Sequence, residues 1–236
     1  MSRLRSLAVV AVAAAALAGC ATGKRPSFAP ERAQVQDPAV AAVLERLDAG
    51  TGSGDGTQFT AEFTILTKLT SQATPTSADI ASGTTASIAP GANITAATVA
   101  RSNATSLSIT VGNVRFLDAD GNRQTCNLVS ASCEPDLLDV KLSSVLVGHD
   151  FYAASPAARL RQDSATMVSA GVASTRDIAG QTATCVQVSF AAGSKVYCAL
   201  DNGLLAYQDT PDVQVDLVSL TAGAVPELFT TSTVAG

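Results

Sequence analysis

QFTAEFTILTKLT, residues 58–70, is the stretch on which the fold turns. Phe59, Ala61, Phe63, Ile65, Thr67 and Leu69 fall on one side of an extended chain, and Thr60, Glu62, Thr64, Leu66 and Lys68 on the other. Successive side chains of a strand point to opposite faces, so this alternation reads as a half-buried strand. It is roughly twice the usual length of about 5–6 residues. A long strand with one apolar face needs neighbours to pair with and a layer to cover it.

Downstream the pattern continues. Residues 70–110 are Thr, Ser and Ala with spaced Ile and Val, bounded by Pro75, Gly83, Pro90-Gly91 and Ser102-Asn103. They read as short antiparallel strands with turns, with a floppy low-complexity segment as the alternative. VGNVRFLDADGNRQTCNLV (111–129) places a hairpin turn at Asp120-Gly121, a preferred pair for tight hairpins. Its D-x-D-G-N run lacks the remaining ligands of a twelve-residue calcium loop, including the terminal bidentate Glu. From Arg176 the segments IAGQTATCVQVSF, SKVYCALD, LLAYQDT and VQVDLVSLT are again strand-like.

Helices are expected in two places. Asp37 suits an N-cap and Pro38 the first helical position, Val40, Val43, Leu44 and Leu47 repeat at helical spacing, and Gly50 ends the run. Between the two strand-rich halves, Pro135 opens a second helix with Leu138, Leu142 and Val145 on one face and Gly148 at its end, and Ser155-Pro156 opens a third through AARLRQD. The order predicts an α+β fold, a meandering, curved antiparallel sheet packed over a few helices.

The N-terminus reads as an export signal. Arg3 and Arg5 precede an apolar run from Leu7 to Ala18 that stops at Gly19-Cys20. A helix that short spans under about 20 Å at 1.5 Å per residue, against roughly 30 Å for a bilayer core. Leu17-Ala18-Gly19-Cys20 matches a bacterial lipobox, and that resemblance implies lipidation of Cys20 and removal of residues 1–19. The expected location is the cell membrane, lipid-anchored on its extracytoplasmic face. Residues 20–36, polar and broken by proline, read as a flexible tether, and residues 37–236 as a single domain.

Four cysteines remain after Cys20: Cys126, Cys133, Cys185 and Cys198. An even number in an exported chain points to two disulfides. A two- or four-residue loop centred between Ala191 and Ala192 sets Cys185 directly opposite Cys198, at a separation suited to a bridge. Cys126 and Cys133 then close a short loop. No C-x-x-C spacing is present and the single histidine, His149, stands apart from the cysteines, which argues against a metal site.

Charge and motifs exclude other classes. The chain carries 15 Lys and Arg against 20 Asp and Glu, and loss of the leader with its two arginines takes the formal charge from −5 to −7. A nucleic-acid partner is not expected. No G-x-S-x-G, H-E-x-x-H or phosphate-binding glycine loop appears, and His149 with adjacent Asp150 reads as a loop residue, so neither catalysis nor a cofactor is expected.

Lipobox, tether, N-terminal amphipathic helix, antiparallel strands, helical break and final hairpins, with Ala179-Gly180, Cys185-Val186, Tyr197-Cys198 and Gly203-Leu204-Leu205 near the end, resemble the LolA-like lipoprotein carriers of the LppX and LprG type. The resemblance implies a half-open barrel with helices in its mouth and a membrane-anchored envelope protein that binds or carries a lipid or other hydrophobic ligand. On this reading Phe59, Phe63, Ile65 and Leu69 line the concave sheet face, and residues 135–163, with Leu138 and Leu142, form a lid. The alternative is a non-catalytic structural or interaction lipoprotein with a filled core that docks to an envelope protein. An apolar pocket of several hundred Å³ open to solvent separates the two.

Overall fold

The structure, a computed structural model, describes residues 35–51, 58–69 and 91–230. The leader, Cys20, most of the tether and residues 70–90 lie outside the described residues, as does the side chain of Leu69.

Helix α1 (Pro38–Thr51) forms where the spacing predicts. One Asp37 carboxylate oxygen accepts the Ala39 and Val40 amides, each at 3.0 Å, and the other accepts the Gly171 amide at 2.8 Å. The cap therefore also ties the helix to the chain entering the second half of the sheet. Val40, Val43 and Leu47 are fully buried. Gly50 does not end the helix, which runs on to Thr51; its role is close approach. A Cβ there would lie 2.2 Å from the Gly203 carbonyl oxygen, and one on Gly203, whose φ is +85°, would lie 2.1 Å from the Gly50 nitrogen. Two glycines let the helix end meet a turn backbone to backbone.

The strands are β1 (Phe59–Leu69), β2 (Gly91–Asn103), β3 (Ser106–Val111), β4 (Val114–Ala119), β5 (Asn122–Asn127) and β6 (Ser132–Pro135). After a 3-10 helix (Asp139–Val145) and helix α2 (Ala154–Ser164) come β7 (Val172–Ile178), β8 (Gln181–Phe190), β9 (Gly193–Leu200), β10 (Leu205–Asp209) and β11 (Val213–Ala222), then a 3-10 turn (Pro226–Phe229). They make one antiparallel sheet in the order β6-β5-β4-β3-β2-β1-β11-β10-β9-β8-β7, curved and unclosed. Strands β1 to β6 and β7 to β11 each form a meander, and the first and last strands of the whole sheet, β1 and β11, meet in its middle. The α+β class and the curved sheet over helices are as the sequence predicts.

Both disulfides form. Cys185 pairs with Cys198 across β8 and β9, joined by the two-residue turn Ala191-Ala192, and Cys126 pairs with Cys133 across β5 and β6; in each the Cα atoms are 4.0 Å apart. The Asp120-Gly121 turn joins β4 to β5, with positive φ at both residues.

Two segments differ from expectation. Residues 91–103 form one strand of 13 residues instead of several short ones. The Ser102-Asn103 turn signal acts one step later, where the Asn103 side chain accepts the Thr105 amide at 2.8 Å. The expected helix from Pro135 is instead the end of β6 followed by a 3-10 helix that Leu146 closes in the left-handed region, φ 60°. The reason is local. The Cys126–Cys133 bridge holds the chain in a hairpin as far as Pro135, and the Thr125 hydroxyl, bonded to the Asp136 carbonyl at 2.7 Å and the Leu138 amide at 2.9 Å, fixes the turn that follows. Leu142 of the expected apolar face still reaches the core.

The core lies on the inner, helix-covered side of the sheet, where Val99, Ile109, Phe116, Val215 and Tyr197 meet α1, α2 and residues 142–153. On the outer side a C-terminal strap crosses back over β3 and β4. Gly223, Leu228 and Thr230 offer carbonyls to Thr60 (3.1 Å), Ser108 (2.6 Å) and the buried guanidinium of Arg115 (3.1 Å).

Candidate binding site

Antiparallel register lays one row of inward side chains across five strands at the same end of the sheet. Phe59 pairs with Arg101, Arg101 with Leu107, Leu107 with Asp118 and Asp118 with Arg123. The first four sit in step with apolar neighbours two residues away, Ala61, Val99, Ile109 and Phe116, and Arg123 with Thr125. The row is thus the polar margin of the same face that builds the core.

Two cavities open along this row. The larger, about 490 Å³, lies between the end of α1 and the strand ends, against Ala49, Phe59, Arg101, Asp201, Leu220 and Ala222. The smaller, about 320 Å³, has Leu107, Ile109, Phe116 and Leu137 as its apolar lining, with His149 and Tyr152 beside them. Arg101 faces the first and its cross-strand neighbour Leu107 the second.

Arg101 and Tyr152 stand at the boundary. The Arg101 guanidinium lies 5.7 Å from the centroid of the Phe59 ring, and its charge acts on the Tyr152 hydroxyl. Burial pushes the Tyr152 hydroxyl above its ordinary range, with Arg101 opposing. Tyr152 is held from behind: its carbonyl accepts the Leu205 amide at 2.7 Å, and its ring meets Phe151 edge to face at 6.1 Å.

Of the residues expected to line a cavity, Phe59 does so. Phe63 and Ile65 do not: they are 2% and 0% exposed, and Phe63 meets Phe151 edge to face at 5.3 Å. The inserted segment fills the centre of the concave face at Phe63 and Phe151, and the two cavities lie toward the strand ends. Leu142 is buried in that filling, and Leu138, half-buried, lines neither cavity. Leu69 lies at the opposite end of β1 from Phe59.

Other polar groups are structurally engaged. His149 meets Asp139, not adjacent Asp150: Nδ1 is 2.9 Å from the Asp139 carboxylate, which also accepts the His149 amide at 2.7 Å. This pair closes the loop after the 3-10 helix, with the imidazole tilted against Phe116. Asp163 of α2, 7% exposed, accepts Lys195 and the Tyr197 hydroxyl, each at 2.6 Å. Burial pushes the Tyr197 hydroxyl far up, and the Asp163 carboxylate reinforces it, so Tyr197 stays a neutral donor. Among the described residues no group of three or more His, Cys, Asp or Glu is arranged to hold a metal.

Sequence reasoning missed Arg101 and Tyr152. A signal for Arg101 was present: in β2 it shares parity with Ala97 and Val99, so an arginine falls where the apolar face should continue.

No family model and no curated protein matches this chain. Among solved structures it is similar to the Pseudomonas aeruginosa MucA/MucB complex, at 13% identity and a TM-score of 0.42 over 80% of this chain. It is also similar to a DUF1329 family protein from Desulfovibrio piger (7% identity, TM-score 0.35, covering 81% of this chain and 97% of that one). LprF from Mycobacterium bovis is similar at 10% identity and a TM-score of 0.31, over 80% of this chain and 95% of that one. The match spans 60% of the chain in the MucA/MucB structure.

Proposed function

We propose that the protein is a membrane-anchored envelope lipoprotein, held through Cys20, that binds an amphiphile at the polar margin of its sheet. One observation carries this reading: two cavities of about 490 and 320 Å³ flank a single cross-strand row that combines Phe59 and Leu107 with Arg101. Small-molecule sites are concave and largely apolar, with a few convergent polar groups, and occupy roughly 300–1,000 Å³. The larger cavity has that volume, with a lining divided between apolar Phe59, Leu220 and Ala222 and polar Arg101, Gln58, Gln181 and Asn202. An entirely apolar ligand would leave Arg101 and the amides of Gln58, Gln181 and Asn202 facing hydrocarbon, whereas an amphiphile places its polar end among them.

The second reading, a docking module for an envelope protein, is favoured by the filled centre of the concave face, where Phe63 and Phe151 close what the first reading would otherwise use. Native mass spectrometry of the full chain carrying Cys20→Ser, which removes the covalent acyl group, separates the two. A co-purified lipid mass, displaced by added fatty acid, is expected. A bare polypeptide mass with no uptake of fatty acid or lysophospholipid would leave the docking reading standing. The anchor has its own check: wild type should partition into detergent on phase separation and Cys20→Ser should not.

A further inference from the structure

We propose that the site selects amphiphiles whose head group is anionic, a carboxylate or a phosphate, and that Arg101 is the residue that reads it. The inference rests on the amphiphile-binding reading and goes one step further, to ligand class.

It comes from a charge inventory of the row. Asp201, the acid in the wall of the larger cavity, is 84% exposed and paired with Arg46 at 2.8 Å. Asp118 is paired with Arg123 at 3.1 Å, and Asp150 accepts the Ser155 hydroxyl. Among the described residues, the acids lining both cavities are thus engaged by other groups. Arg101 forms no ion pair with any described carboxylate, unlike Arg46, Arg123 and Arg161. It is half-buried, with the Phe59 ring near its guanidinium and Tyr152 on one side.

A guanidinium carries five N–H donors in a planar fork and does not lose its proton. Phe59 occupies none of those donors and the single Tyr152 oxygen cannot satisfy five. A partly desolvated cation with spare donors facing a cavity is stabilised by an oxyanion, and the fork matches carboxylate or phosphate through two parallel hydrogen bonds. A neutral hydroxyl head group offers one acceptor and no charge. The hydrocarbon part has apolar contact on either side, at Phe59, Leu220 and Ala222 in one cavity and at Leu107 and Ile109 in the other.

The test uses the full chain with three probes of equal chain length: palmitic acid, a palmitoyl lysophosphatidic acid and hexadecanol, each displacing a fluorescent fatty acid at neutral pH. One or both acids should bind about tenfold or more tighter than the alcohol, the scale of one charge-assisted hydrogen bond. Arg101→Gln should lower acid affinity by about that factor and leave hexadecanol within about twofold. Arg101→Lys, which keeps the charge and loses the fork, should fall between. Discrimination by wild type is the decisive arm, so a variant that fails to fold does not protect the proposal. Equal binding of acid and alcohol by wild type overturns it while the amphiphile-binding reading stands. Binding of none of the probes overturns that reading and this one with it. Selectivity unchanged in folded Arg101→Gln overturns the assignment to Arg101.

Discussion

Phe63→Ala separates core from cavity on the strand that defines this fold. Phe63 is 2% exposed, fixed between Ala97 of β2 and Leu217 of β11, with the Phe151 ring edge-on at 5.3 Å. Truncating a buried phenylalanine costs about 3–5 kcal/mol, part of it the cavity that a constrained site fails to close. Flanking strands on both sides allow little collapse here, and the lost edge-to-face contact accounts for about 0.5–1.5 kcal/mol of the total. Against a domain stability of about 5–15 kcal/mol the loss is large, and at about 2–4 °C per kcal/mol it lowers Tm by roughly 6–20 °C. Phe59→Ala provides the contrast. That ring is half-buried on a cavity wall, so its loss should cost about 1 kcal/mol, half or less of a fully buried ring, while weakening binding of a fluorescent fatty acid. Guanidinium unfolding followed by circular dichroism, with the disulfides intact, measures the first quantity and ligand titration the second. A Phe63→Ala variant that melts with wild type but has lost binding, beside a Phe59→Ala variant that binds normally, would refute the reasoning: the ligand would then lie in the middle of the sheet.

Asp37→Ala should cost about 0.5–2 kcal/mol at pH 7, as loss of an N-cap does. Burial raises the Asp37 carboxyl, but the amides of Val40, Gly171 and Ala39 outweigh it and hold the group below its ordinary 3.8, so the charge-dependent stability is complete above that pH and disappears as pH falls through the native value; the gap between variant and wild-type melting curves should narrow below about pH 3.8. Gly203→Ala should destabilise by at least about 1–2 kcal/mol in denaturant titration, the cost of a left-handed non-glycine residue before any clash with Gly50 is counted, and should weaken ligand binding, because the displaced end of α1 carries Ala49 and Gly50 of the cavity wall. Replacing Cys185 and Cys198 together by alanine should cost about 3 kcal/mol through loss of a cross-link spanning 13 residues, and non-reducing peptide mapping of wild type should recover Cys185 with Cys198 and Cys126 with Cys133.

The parts of the fold written locally were legible. Period-two alternation in 58–70 is β1, helical spacing from Asp37 is α1, and Asp120-Gly121 is a turn, because each is decided within a few residues by backbone geometry. The Cys185–Cys198 register was legible for the same reason: a short hairpin loop fixes which residues face each other. The helix read from Pro135 failed where the neighbouring hairpin overrode the helical spacing. Leu138, Leu142 and Val145 carry helical spacing, but the Cys126–Cys133 bridge and the Thr125 hydroxyl had already committed the preceding residues to a hairpin and a tight turn. What remained between that turn and the His149–Asp139 clasp was room for a 3-10 helix.

The site was less legible because it is a property of register across strands. No segment of sequence contains Phe59, Arg101, Leu107 and Asp118 together, and their alignment depends on successive antiparallel pairings, any one of which, slipped by a residue, would turn a side chain outward. The signal that β2 and β4 do carry is a charged residue on apolar parity: Arg101 after Ala97 and Val99, Asp118 after Val114 and Phe116. Both fall at the same end of their strands, while inward positions toward the other end are Val111 and Val114 on β3 and β4 and Ile65 and Thr67 on β1. On β2 and β4 the inner face therefore passes from a charged end, at Arg101 and Asp118, to apolar Val99 and Phe116. Water alone does not require such a gradient, since an inward arginine that served only solubility would be better placed on the outer face. The proposed amphiphile fits that charged end, with Arg101 at the margin and Phe63 in the filled centre, which is why exchange of Arg101 should change head-group preference and exchange of Phe63 should change stability.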